Sequence, residues 1–337
     1  MGLRTYMIRR TINSFVLVLA VVVFNFFLFR LPVFLQGVDP ADIILGGSYF
    51  REDIKEQLRQ QWNIPPENAS FQDWFNHFWA YLTNMLTLNF GRSYVSRQPV
   101  ANLIAEKLPN TVVLLGTASL FSILIGVVLG TLAAASQGKK IDMGMITASL
   151  SLYAIPIFFL GMIFILVFGS YLDLFPVSGG TLSAECATGG CSVVDELVDR
   201  LYHLVLPVST LVVGGFGAHL ILMRNNLADV LVEDYITTAR AKGLRENSVL
   251  FNHAFRNAVL PMVTVIALTF ATIIGGAVLT ETIFSWNGLG RWILSSLLAE
   301  DWPASEAIFL LIAITVIVAN FIADLLYGIL DPRVKYT

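Results

Sequence analysis

Residues Asp234 to Pro261 read DYITTARAKGLRENSVLFNHAFRNAVLP, a basic and polar stretch set between two long apolar ones. The side chains able to do chemistry there are Asp234, Tyr235, Thr238, Arg240, Lys242, His253, Arg256 and Asn257, interleaved with the small residues Ala239, Ala241 and Gly243. The chemistry these types support is reversible recognition of another protein. In a helix starting near Asp229, Tyr235, Ala239 and Gly243 recur at i, i+4 and i+8 and share one face. Two small residues on that face let a foreign surface approach the backbone. Gly243 suits a left-handed helix C-terminus. A second short helix, about Glu246 to Asn257, then returns the chain to the next apolar stretch, which Pro261 opens at a position tolerant of proline. The alternative is a solvated basic loop that only enforces topology; the length and the helix–Gly–helix layout favour docking.

Other chemistries find little footing. There is no H-E-x-x-H metal pair and no G-x-x-x-x-G-K-[ST] loop to cradle nucleotide phosphates. His203 and His219 stand at i and i+16, too far apart to share a metal. No catalytic residue, no metal site, no cofactor held by this chain and no nucleic-acid partner are expected.

The elements that must hold the loop follow from composition. The chain has 337 residues, 56% hydrophobic and 13% charged, with mean hydropathy +0.71. A soluble domain carries about a quarter charged residues. Six apolar stretches, at about 8–30, 109–134, 146–170, 202–223, 259–281 and 307–329, each reach the roughly 20 residues that a helix needs to cross a bilayer. Only helices or closed barrels span lipid, and runs this continuous are not alternating barrel strands. The fold expected is all-α, a polytopic membrane protein with six transmembrane helices. The first stretch is too long for a signal peptide and lacks a small-residue cleavage site after it, so residues 1–31 read as a retained first helix. Residues 32–108 form an extracytoplasmic segment with two amphipathic helices, REDIKEQLRQQWNI and the aromatic-rich SFQDWFNHFWAYLTNML, the second suited to the membrane interface. Residues 109–331 form the core, with the polar loop at 225–258.

Orientation follows from the basic residues. Arg4, Arg9, Arg10, Lys139, Lys140, Arg224, Arg240, Lys242, Arg245, Arg256, Arg333 and Lys335, 12 of the 21, fall on one face if the N-terminus is cytoplasmic. That face then holds both termini by the positive-inside rule. Cys186 and Cys191, in CATGGC, lie on the opposite, oxidising face, where a Gly-Gly turn permits a disulfide. Asn68-Ala-Ser70 on the same face is a glycosylation sequon.

The spans themselves are nearly free of charge. Asp324, near the inner end of the last one, is a functional candidate by default, though a helix-end hydrogen bond is the preferred reading. Small-residue stripes (Gly126 and Gly130; Gly214, Gly215 and Gly217; Gly275 and Gly276) mark close helix packing. A path through such spans is lined by apolar and small polar side chains that hold no charged solute tightly. Candidates are Ser149, Tyr153, Phe158, Thr269 and Thr272, with ordinary helix packing as the alternative for each.

The loop resembles the coupling loop of ATP-binding-cassette importer permeases of the oligopeptide/dipeptide branch. Counting back from Gly243 sets Thr237, Thr238 and Ala239 against the family's EAA, so the acid and one Ala are absent. The peptide branch's own pattern, TARAKGL followed by HxxRNxxxP, is present as Thr238–Leu244, His253, Arg256, Asn257 and Pro261. EKLPNTVVLL, YAIPIFFLG, FPVSGG, ETIFSWNGLGR and NFIADLLYGILDPRV are also similar to motifs of the B-type subunit, in the family's order. Residues 32–90 match least, with GVDP at Gly37–Pro40 where the family has PGDP.

The resemblance implies a type I ABC importer transmembrane domain in a prokaryotic inner or plasma membrane. It implies a C-type permease partner, two ABC ATPase subunits that bind ATP and Mg and dock on the loop, an extracytoplasmic substrate-binding protein, and membrane lipid around them. The solute expected is a di- or oligopeptide; relatives of this kind also serve oligosaccharides, glutathione or metal chelates. The rival from another class is an ion-coupled secondary transporter, which would carry intramembrane acids or broken midplane helices.

Overall fold

The computed structural model describes residues 3–36, 70–177, 183, 186, 188–271 and 277–330. The described residues are almost wholly helical. The helices are α1 (Leu3–Gln36), α2 (Phe71–Leu86), α3 (Val100–Ala135), α4 (Lys140–Tyr153) and α5 (Ile157–Phe164), which runs on as a π-helical stretch, Ile165–Tyr171. They continue with α6 (Val193–Val230), α7 (Asp234–Ala241), α8 (Glu246–Ser248), a π-helical Val249–Ala254 and α9 (Phe255–Ala258). The last four are α10 (Leu260–Ala271), α11 (Val278–Ile283), α12 (Leu289–Leu298) and α13 (Trp302–Leu330).

Among the described residues, four helices are long and apolar enough to cross a membrane: Met7–Arg30, Val100–Ala135, Val193–Val230 and Trp302–Ile322. Two of the six expected spans read differently. The stretch 146–170 is not one helix, because α4 and α5 meet at 92° across Ala154–Pro156. Proline lacks the N–H that would continue the ladder, and its ring crowds the preceding turn. The stretch 259–281 enters as the 12-residue α10 and then leaves the described residues. The described residues therefore hold four membrane-length helices, or five with the bent pair taken as one span, where six are expected.

The largest helix–helix contact joins α3 and α6, and glycine makes it close. A Cβ on Gly126 would stand 2.5 Å from the His219 Cβ, and one on Gly130 would stand 2.5 Å from the Leu220 carbonyl oxygen. Here the small-residue stripe is a packing device, as small-xxx-small pairs are in lipid. Arg224 of α6 forks onto Asp142 of α4 at 2.8 and 3.1 Å, and Asp142 also accepts the Gly138 N–H at 3.0 Å. One end of α6 follows directly on Cys191, which is bonded to Cys186 with Cα atoms 4.8 Å apart. The other end delivers the polar loop. Helix α6 thus has a disulfide end and a loop end.

The N-terminal part packs on the last helix. Ser70 and Asp73 cap α2 reciprocally, and the Ser70 hydroxyl and N–H hold the Asp73 carboxyl below the usual range. Tyr81 and Met85 of α2 share a cluster with Val22 and Phe26 of α1 and Leu310 of α13. Beside it, Arg30 pairs with Glu306 at 2.8 Å, both nearly shut off from solvent at 12% and 1% side-chain exposure. Asn25 donates to the Glu306 carbonyl at 2.9 Å. The first expected amphipathic helix, Gly37–Pro40, Asn68, Gly275, Gly276, the Asp324 side chain and Thr272 lie outside the described residues.

Candidate functional site

The loop between α6 and α10 is built on an apolar floor. Ile236 and Ala239 of α7, Val249, Ala254 and Ala258 pack with Ala134, Met223, Leu227 and Met262 from the spans beneath. Ala239 is thus buried in this chain's own core, at 6% exposure. The expectation that Ala239 and Gly243 together face a partner is corrected at Ala239. Helix α7 starts at Asp234, not near Asp229, and Ile236 with Ala239 turns inward because the floor is apolar.

The rest of the loop's polar residues are exposed. Asp234 lies in the first turn of α7, and the Thr238 hydroxyl bonds back to its carbonyl at 3.0 Å. Tyr235, half exposed, accepts a hydrogen bond from the Asn257 amide at 2.8 Å, which ties the two arms together across 22 residues. Arg240 reaches over the turn to Glu246 at 2.9 Å, with both side chains open to solvent. Ala241, Lys242 and Gly243 form the exposed turn, and Gly243 has φ +77°. That left-handed conformation suits Gly there, and a Cβ would meet nothing within 4 Å. His253, in the π-helical turn, and Arg256 are exposed, and Pro261 sits in the first turn of α10. Among the described residues, Lys242, Arg245 and Arg256 make no ion pair. The loop thus presents cations and spare donors on a rigid apolar base.

The pathway candidates separate. Ser149 is buried where α4 meets Gly217 of α6, and its hydroxyl bonds back to Ile146 at 2.9 Å, so it packs between helices of this chain. Tyr153 and Phe158 flank the 92° break and are exposed, at 60% and 41%. Thr269 is half-buried, with its hydroxyl on the Val265 carbonyl at 2.9 Å.

A second polar cluster, unforeseen from the loop, sits toward the disulfide end, where α11 and α12 form a hairpin. It joins two of the motif stretches, EKLPNT in α3 and ETIFSWNGLGR in the hairpin. The Glu281 carboxylate, fully buried, accepts the Thr111 hydroxyl and the Arg291 N–H, both at 2.9 Å. Thr111 in turn accepts the Leu289 N–H at 2.8 Å. The Trp286 indole donates to the Asn110 carbonyl at 2.9 Å, and the Asn110 amide donates to the Asn287 carbonyl at 2.8 Å. Lys107 completes the rim on Asn287 Oδ1 at 2.9 Å. Polar residues inside an otherwise apolar chain were the available signal, but their pairing across some 170 residues is not written in either stretch.

A polar cavity of about 320 Å³ opens between α2, the 89–94 segment and the start of α13, lined by Arg30, Tyr81, Asn84, Tyr94 and Glu306 among others. Burial pushes the Tyr81 and Tyr94 phenols up, so both stay protonated. Among the described residues no group of His, Cys, Asp and Glu could hold a metal ion.

Residues 126–336 match the family described as binding-protein-dependent transport system inner membrane component, and residues 3–115 match the corresponding N-terminal family. The chain is 36% identical over 334 residues to the oligopeptide transport system permease protein AppB of Bacillus subtilis, covering 98% of this chain and 99% of that protein. It is 35% identical to the di/tripeptide transport system permease protein DppB of Pseudomonas aeruginosa, covering 88% and 90%. The dipeptide transport system permease protein DppB of Escherichia coli K12 is 34% identical with the same coverage.

Proposed function

The chain belongs to the family of binding-protein-dependent transport system inner membrane components, and from that premise we propose that it forms one half of the translocation pathway of an ATP-driven importer of di- and oligopeptides. It is a multi-pass inner-membrane transport permease. Its partners on this reading are a second permease subunit, two ATPase subunits that bind ATP and Mg, and a binding protein that delivers the solute from outside. Both termini and the loop at 225–258 face the cytoplasm.

The observation that carries this reading is the loop itself. Ile236, Ala239, Val249, Ala254 and Ala258 are used inside the chain while Tyr235, Lys242, Gly243, His253 and Arg256 are left at the surface. A loop that only enforced topology would need charge but no packed floor. A floor of nine buried side chains holds the exposed groups in fixed places, which is what docking a force-generating subunit requires.

The test is uptake of labelled di- and tripeptides into proteoliposomes that contain the reconstituted complex with its binding protein. Uptake should require ATP inside, stop with vanadate, and persist when the ion gradient is collapsed. Uptake driven by an ion gradient without ATP would overturn the reading. Uptake of an oligosaccharide in place of peptides would leave the ATP-driven mechanism and replace the solute.

A further inference from the structure

The hairpin of α11 and α12 touches its neighbours in two unlike ways. Toward α3 the contact is built largely on directed hydrogen bonds, those of Glu281 and Thr111 buried. A Cβ on Gly288 would stand 2.5 Å from both Glu281 Oε2 and Thr111 Oγ1. Sliding this side would strip several buried groups of their partners at once, leaving each desolvated and unpaired. Helix α3 is itself locked to α6 through Gly126 and Gly130, and the Trp286 ring fills the space between them beside Leu114, Leu204 and Val208. The hairpin, α3 and α6 therefore form one body.

Toward α5 the contact is apolar and smooth. The Phe284 ring lies 3.2 Å from where a Cβ on Gly161 would be, and Ile157 lies 3.1 Å from where a Cβ on Gly214 of α6 would be. Apolar contact is non-directional, so displacement along this seam leaves no hydrogen-bonding group without its partner. Helix α5 also hangs from α4 by the short break at Ala154–Pro156, the kind of element-terminal position that absorbs a change in φ and ψ.

We propose that α5 is the part of this subunit that moves when the disulfide end of the pathway opens, closing against the hairpin along Phe284 and Gly161, and that Glu281 is the positioning residue that keeps the hairpin fixed to α3 as its stop. This rests on the function proposed above, since it assumes a pathway that opens and closes. Glu281 makes no contact with solute on this view. It acts through Thr111 and the Arg291 N–H.

The experiment uses the whole complex in proteoliposomes, and this chain contributes no free thiol because both of its cysteines are in the disulfide. One double variant, Gly161→Cys with Phe284→Cys, spans the seam. The other, Glu106→Cys with Asn287→Cys, spans the rim of the hairpin–α3 junction, where Asn287 donates to Glu106 at 3.2 Å. A short bifunctional thiol reagent should stop ATP-driven uptake in the first and leave it in the second, with a monofunctional reagent as control. The yield of the seam cross-link should differ between nucleotide-free and vanadate-trapped complex, and the junction yield should not. Glu281→Ala should lose uptake in assembled complex and regain it when the junction is cross-linked. If that variant fails to assemble, the two cross-links decide. An unaffected seam variant, or a junction cross-link that stops uptake, overturns the proposal. If the unmodified complex takes up no peptide, the function proposed above has failed instead; the dependence of the two yields on nucleotide still tests the moving seam.

Discussion

Two arginine–glutamate pairs of nearly equal length sit in opposite settings. Arg30 meets Glu306 at 2.8 Å where α1 joins α13, at 12% and 1% exposure. Arg240 meets Glu246 at 2.9 Å across the loop turn, at 43% and 68%. Geometry alone would rank them alike. Their surroundings separate them, because a buried charge that loses its partner is left in a poor solvent, while an exposed one is rehydrated. The first pair fixes how the N-terminal helix sits on the core. The second can be given up at little cost.

Breaking the buried pair is the severest challenge to that contrast. Arg30→Ala or Glu306→Ala should lower stability by about 3–5 kcal/mol, read as a drop in the thermal unfolding midpoint of the detergent-solubilised complex. Replacing both by apolar residues of similar volume should recover much of the loss. If the single variants unfold like wild type, the contrast is wrong. The next effect belongs to the covalent tie at the far end of α6. Reduction of Cys186–Cys191 should cost about 2 kcal/mol by the loop-entropy estimate, and mass spectrometry of unreduced, alkylated protein should find both thiols blocked as a disulfide.

The loop should be softer still. Gly243→Ala places a side chain in open space but at φ +77°, for a cost of about 1–2 kcal/mol. Gly243→Trp should cost little more in stability yet uncouple ATP hydrolysis from transport, because it covers the exposed turn. Transport and ATPase activity equal to wild type in assembled complex would show that the turn is not a docking surface. Arg240→Ala should be the mildest, below about 1 kcal/mol, with the small difference fading as salt screens the exposed pair.

The sequence was most legible where the information is local. Continuous apolar runs located α1, α3, α6 and α13, and Gly243 marked the end of α7 because a left-handed residue there calls for Gly. The stripe Gly126 and Gly130 announced close packing, though not the partner. The break at Pro156 was harder to see. The run on either side is apolar throughout, and a proline within a span can also be absorbed by a kink. At Ala239 smallness does not mean openness to a partner, because Ile236 beside it marks the apolar face. The pairs Arg30–Glu306 and Thr111–Glu281 lie 276 and 170 residues apart. A single sequence carries no trace of which distant polar residue meets which.

Helix α6 has a mechanical consequence. Its 38 residues run unbroken from the disulfide to the loop, about 57 Å at 1.5 Å per residue. A rod of that length turns a small rotation into a large displacement: a tilt of about 5° about one end carries the other through about 5 Å, close to one helical pitch. On the proposed function, a partner pushing on the loop would need only a slight angular stroke to be felt at the far end of the helix. Any bend introduced into that rod would dissipate the stroke before it arrived.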